Sequence, residues 1–160
     1  MEENKISYFN RTLKQKQLTI VCAESITAGL LSSTIASISG SSEILKGSIV
    51  TYSRELKSCI LGVDPKIIDL NTAESIETTV EMTYGLYKLY PSADIFVSVT
   101  GVASPSNDNY KVNKQVGQIY VAVYFKNKMH TLDTVIEETD RNSIRIKAVE
   151  SIFNFILTIV

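Results

Sequence analysis

An α/β fold, a three-layer α/β/α sandwich around a mixed β-sheet, is what the sequence predicts from two features. Short β-branched, apolar runs at 18–22, 47–53 and 94–100 alternate with segments whose apolar residues recur at helical spacing. Two further strand-like runs, 118–125 and 129–136, flank Lys126-Asn127-Lys128 and read as a β-hairpin before a final helix. Alternating strands and helices favour parallel pairing, whereas a hairpin requires an antiparallel pair, so the sheet is mixed and helices cover both faces. A chain of 160 residues is long enough for one domain with a real core, and a single domain over 1–160 is expected.

In chain order, Ile6, Phe9 and Leu13 give an amphipathic helix over 3–16. Residues 18–22 form a buried strand. Leu30, Leu31, Ile35 and Ile38 then line one helical face, and Gly40-Ser41-Ser42 ends that helix. The strand at 47–53 leads into a short helix over 54–61, closed by Gly62 and a turn at Asp64-Pro65. A long helix over 72–90 carries Ile76, Val80, Tyr84 and Tyr87 on one face, and the strand at 94–100 is apolar enough to be central. The polar stretch 101–114, with Ser104-Pro105-Ser106-Asn107-Asp108-Asn109, is long for a compact domain, which points to a functional or mobile loop. The last helix runs from 140, with Ile144, Ala148, Ile152 and Phe155 facing inward.

Composition narrows the chemistry. The chain is 44% hydrophobic and 21% charged, ordinary for a globular protein, and 16 basic against 17 acidic residues leave a net charge of −1. That balance offers no electrostatic footprint for nucleic acid or for an acidic membrane surface. Met1-Glu2-Glu3-Asn4-Lys5 is unlike a secretory leader, and no apolar run approaches the roughly 20 residues that span a bilayer. Cys22 and Cys59 sit among apolar neighbours and are expected as free, buried thiols in a reducing cytoplasm. His130 is the one histidine, expected on the surface of a strand. It excludes a multi-histidine metal site and leaves any nucleophilic serine to find another base.

The chemically suggestive stretch is Ala23-Glu24-Ser25-Ile26-Thr27-Ala28-Gly29, small and polar residues between the first strand and the second helix. A serine there either caps the helix or acts as a nucleophile, and the local sequence leaves both open. The run resembles the A-E-S-x-T-G-G signature of the CinA C-terminal domain family, the nicotinamide-nucleotide amidases. Three more stretches match the family in the same order: Gly47-Ser48-Ile49-Val50-Thr51-Tyr52-Ser53 with Lys57, Val99-Thr100-Gly101-Val102-Ala103, and Val116-Gly117-Gln118-Ile119-Tyr120. Together they carry the resemblance over almost the whole chain.

The resemblance implies hydrolysis of nicotinamide mononucleotide to nicotinate mononucleotide and ammonia, with Ser25 as nucleophile, Lys57 as its base and no metal or organic cofactor. A lysine, with a reference pKa of roughly 10.4, serves as a base near neutrality only if burial lowers that value by several units. Apart from the resemblance, Lys57 reads as a solvated helix residue beside Glu55 or Asp64, and Tyr52 as a strand aromatic. Within the family pattern Tyr52 relays or steadies the lysine proton and Thr100 donates a hydrogen bond in the site. Helix-start N–H groups after Ser25 are the expected oxyanion donors. Thr27, Ala28 and Gly29 offer backbone for close approach of substrate, and Glu24 either orients the lysine or caps backbone amides. Gly101 and Gly117 fall in substrate-holding stretches. Arg141 forks onto a phosphate or else pairs with Asp140 or Glu137.

Four departures from the family pattern lie in substrate-holding loops: Ala28 for glycine, Ser104-Pro105 and its loop for G-P-G-G, Gln115 for proline and Thr139 for glycine. They leave two alternatives, an amidase for another small amide and a non-catalytic nucleotide-binding module. The resemblance further implies a cytoplasmic homo-oligomer acting on a pyridine nucleotide. Larger family members carry an N-terminal pyrophosphatase domain, for which no counterpart is expected here.

Overall fold

The computed structural model describes residues 1–107, 111 and 113–160; Asp108 and Asn109 of the polar stretch lie outside them. Strands β1 (Ile20–Glu24), β2 (Leu45–Val50), β3 (Ile95–Gly101), β4 (Gln118–Phe125) and β5 (Lys128–Val135) form one sheet in the order β2-β1-β3-β4-β5. β1 pairs in parallel with β2 and β3, while β3–β4 and β4–β5 are antiparallel. The mixed sheet and the central third strand are as expected. Lys126 and Asn127 turn the hairpin with φ of 47° and 60°, the left-handed pair that a two-residue connection needs.

Helices α1 (Glu3–Gln15), α2 (Leu30–Ala36), α3 (Arg54–Leu61), α4 (Pro65–Asn71), α5 (Ile76–Leu89) and α6 (Arg141–Ile159) cover the sheet. Strand residues alternate between its two faces. Ile20, Cys22, Val97 and Val99 pack with Phe9, Leu31 and Ile152 of α1, α2 and α6. Val21, Ala23 and Phe96 pack with Leu61, Ile68, Met82 and Leu86 of α3, α4 and α5. The chain therefore leaves β1 along one face and returns to β3 along the other. This reversal opens a crevice at the carboxyl end of β1, where open α/β sheets bind ligands.

Four local expectations are corrected. Asp64-Pro65 is the start of α4, with the Asp64 side chain accepting from the Lys66 N–H at 2.9 Å and proline at the first helical position. The inward face of α5 is Thr78, Thr79, Met82, Thr83, Gly85 and Leu86, while Tyr84 and Tyr87 are partly exposed. The cause is close helix packing: a Cβ on Gly85 would lie 1.9 Å from the Leu61 carbonyl oxygen, so α5 must turn this residue toward α3. In α6 it is Phe153 that is buried, stacked on Phe9 with centroids 4.0 Å apart, and Phe155 is only partly covered. Cys59 is exposed on α3; Cys22 alone is a buried thiol, its pKa pushed up by burial. Among the described residues no helix is long and apolar enough to cross a membrane, and no group of three His, Cys, Asp or Glu could hold a metal ion.

Candidate active site

Ser25 directly follows β1, and its N–H donates to the Val99 carbonyl at 3.1 Å, extending the β1–β3 ladder by one bond. Lys57 reaches it from α3. The Ser53 hydroxyl caps that helix by accepting from the Leu56 N–H at 3.2 Å, which turns Lys57 inward until only 1% of it is exposed. Its Nζ lies 3.0 Å from Ser25 Oγ, 2.8 Å from the Thr51 carbonyl oxygen and 3.4 Å from the Tyr52 carbonyl oxygen. A neutral amine has two N–H donors and one lone pair. Two carbonyls accept the donors, and the lone pair is left for the serine proton. Burial lowers the Lys57 pKa to about 8 against the opposing pull of the Glu74 carboxylate.

Ser25 is not a helix cap. Residues 25–29 form a turn closed by Ala28 N–H to Ser25 O and Leu30 N–H to Thr27 O, both at 3.0 Å, and α2 begins only at Leu30. The cap is Glu24, fully buried. Its carboxylate accepts from the N–H groups of Gly29, Leu31 and Ser32 at 2.9–3.0 Å and from the hydroxyls of Thr27, Ser32 and Ser48 at 2.7–2.8 Å. Burial alone would raise its pKa, but the Ser32 amide and the three hydroxyls outweigh that and hold it below the usual carboxylate range. Glu24 thus caps amides and makes no hydrogen bond to the lysine. The helix-start amides expected as oxyanion donors are occupied by it. The N–H groups of Ile26 and Thr27 instead find no acceptor among the described residues, although both residues are buried.

A cleft of about 540 Å³ opens over Ser25 and Ile26, a size suited to a small molecule. Tyr52, Ser53, Arg54, Glu74, the 101–107 segment and Arg141 also line it. Arg141 donates to the Tyr52 hydroxyl and, at 2.9 Å, to Ser104 Oγ. It makes no ion pair with Asp140, whose side chain caps α6, nor with Glu137. Arg54 is paired with Asp69. Tyr52 meets Lys57 through its carbonyl only, so its hydroxyl belongs to the cleft mouth.

Ser25, Lys57, Tyr52, Gly101 and Arg141 are therefore brought together; the other expected residues are not. Thr100 is buried with its Oγ1 2.8 Å from Thr79 Oγ1. Thr79 spends its proton on the Ser75 carbonyl at 2.6 Å, so Thr100 donates to Thr79 and has no proton for the cleft. Gly117, at φ 90°, lies outside the lining, where a Cβ would come 2.2 Å from the Ile136 carbonyl oxygen. Thr27 and Gly29 serve Glu24 and are also outside it. Two residues had no signal of their own in the sequence. Arg145, one turn after Arg141, donates to the Thr27 carbonyl at 2.7 Å and clamps the serine turn from α6. Glu74 was hidden in what read as helix.

Ala28 is exposed outside the lining and adopts φ 47°, a left-handed conformation that penalises a Cβ. The methyl group thus lies outside the cleft. Ala28→Gly is expected to leave KM unchanged and to raise the thermal midpoint by a few degrees, about what relief of up to ~1 kcal/mol gives. A lowered KM with an unmoved midpoint would put the methyl group in the ligand's path.

Comparison with known proteins agrees with this architecture. The CinA C-terminal domain matches residues 3–160. The chain belongs to that family. A CinA-like protein of Petrotoga mobilis is 40% identical over 155 residues, 97% of this chain and 37% of its own length. A CinA-like protein of Thermotoga neapolitana is 38% identical over 86% of this chain and 33% of its own. The chain spans about a third of the length of these relatives. The Mycoplasma pneumoniae MG115 homolog, 38% identical, is covered over 82% of its length. Among solved structures, the Escherichia coli CinA superfamily protein shares the fold at TM-score 0.89 and 23% identity, over 99% of this chain and 90% of that one. Membership of the CinA family is consistent with a hydrolase.

Proposed function

We propose that this protein is a serine–lysine amidase that hydrolyses nicotinamide mononucleotide to nicotinate mononucleotide and ammonia. The observation that carries the reading is Lys57 Nζ, buried and 3.0 Å from Ser25 Oγ beneath a cleft that opens toward Arg141. Ser25 Oγ attacks the carboxamide carbon as Lys57 takes its proton. The idle Ile26 amide, on the cleft lining, is the donor for the oxyanion, in place of helix-start amides. Lys57 protonates the departing ammonia and then draws a proton from the water that releases the acid. Arg141, whose partners are neutral hydroxyls, is the cation for the substrate phosphate. A homo-oligomer in the cytoplasm remains the expectation by family resemblance.

A second reading has its own support. Ser104 stands where the family pattern has glycine, and its hydroxyl occupies one arm of Arg141. That contact competes with phosphate and would suit a smaller amide. Ammonia release from nicotinamide mononucleotide, nicotinamide and simple aliphatic amides separates the two. The mononucleotide is expected to have the highest kcat/KM; a preference for free amides supports the second reading, and no release from any of them supports a binding module.

A further inference from the structure

We propose that Glu74 is the specificity-determining acceptor for the substrate's amide N–H, so that the cleft takes carboxamides and rejects the matching acids and esters. The proposal rests on the amidase reading above. Glu74 lines the same cleft as Ser25 and is 9% exposed. The turn that carries it is held by short polar contacts. Thr72 Oγ1 donates to the Glu74 carbonyl at 3.1 Å, and the Thr72 carbonyl accepts from Ser75 Oγ at 3.1 Å and Thr78 Oγ1 at 2.7 Å. Thr72 itself adopts φ 75° and ψ 164°, a conformation that a β-branched residue keeps only when its surroundings impose it. Such strain collects where a side chain must be held in a working position. Here the side chain two residues on is a carboxylate whose charge is felt by Lys57, the group beside the nucleophile.

An ionised carboxylate only accepts hydrogen bonds. A carboxamide brings two N–H donors to it. An ester brings none, and a carboxylate brings none and is repelled. Glu74 would therefore favour substrate over product at the same position. As the C–N bond breaks and the Ser25 Oγ–C bond forms, the serine proton passes through Lys57 to the leaving nitrogen. Glu74 gives up no proton in this sequence and faces a nitrogen that gains donors as it leaves.

The test is calorimetric titration of nicotinamide mononucleotide and nicotinate mononucleotide into the Ser25→Ala protein, which binds without turnover, with and without Glu74→Gln. The Ser25→Ala protein is expected to prefer the amide by roughly tenfold to a hundredfold, the worth of a hydrogen bond to a charged group. Glutamine fills the same space but also donates, so the added Glu74→Gln change should bring the ratio close to one. A ratio that Glu74→Gln leaves unchanged overturns the proposal, even if both ligands weaken together as a purely structural role would have it. Glu74→Ala, read in the same way, serves if the glutamine protein fails to fold. If the Ser25→Ala protein binds neither nucleotide, the amidase reading falls and this proposal with it.

Discussion

Ser25→Ala is expected to cut ammonia release by roughly a thousandfold or more, the usual consequence of removing a nucleophile that acts together with its base. The same change should cost little stability. Ser25 Oγ caps no helix, and its one hydrogen-bonding partner among the described residues is Lys57 Nζ, which keeps two carbonyls. A lost hydrogen bond of about 1 kcal/mol lowers the midpoint of a chain this size by only a few degrees. Thermal melting beside a coupled ammonia assay measures both quantities. Turnover within tenfold of wild type in a folded variant would remove covalent catalysis by Ser25.

Lys57→Arg and Lys57→Met are both expected to be nearly inactive. A base must give up its proton at working pH; arginine never does so, and methionine has none to exchange. A lysine that acted merely as a fixed positive charge would instead be largely rescued by arginine. In the intact protein kcat/KM should rise about tenfold per pH unit and level off near the folded Lys57 value of about 8, where the amine becomes neutral. Stability carries an independent signature. Below about pH 8 the folded chain bears the full cost of a buried ammonium. Between there and the ordinary value of 10.5 the unfolded chain holds a lysine proton that the folded one lacks, so the Lys57 contribution to stability increases with pH across that window. The raised pKa of buried Cys22 works the other way above its ordinary value of 9.0. The Lys57 gain is on the order of 3 kcal/mol, and Lys57→Met should abolish it. An active arginine variant with an unshifted profile would move the base elsewhere.

The sheet and five of the six helices were legible because their signals are local, while α4 read as a turn at Asp64-Pro65. The β-branched runs, the Lys126-Asn127 turn and the helix over 54–61 each declare themselves within a few residues. The orientation of α5 was not legible, since it depends on Gly85 meeting the Leu61 carbonyl, a contact between two helices. The dyad shows the same division. Ser25 sits in a recognisable run, but no spacing links it to Lys57, and only family resemblance suggested the pair. That Lys57 is buried follows from α3 packing on α5 and from the Thr51 and Tyr52 carbonyls that take its amine, which local pattern does not encode. The sequence left two tasks open for Glu24, and what decides for capping is six hydrogen bonds that come from 27–32 and from Ser48 on a neighbouring strand. Arg145 was invisible, because its value lies in a carbonyl 118 positions earlier in the chain.

The reach of α6 back to the serine turn has a bearing on how the protein is made. Ser25 and Lys57 precede Arg141 and Arg145 in the chain and are translated before them. Until α6 docks, the Thr27 carbonyl keeps only its bond from the Leu30 N–H, and the cleft lacks Arg141. On the amidase reading, a chain whose α6 has not docked carries its nucleophile in an unfinished pocket and is expected to release little ammonia. Proteolytic trimming of the last helix would silence the protein in the same way, with serine and lysine both still present.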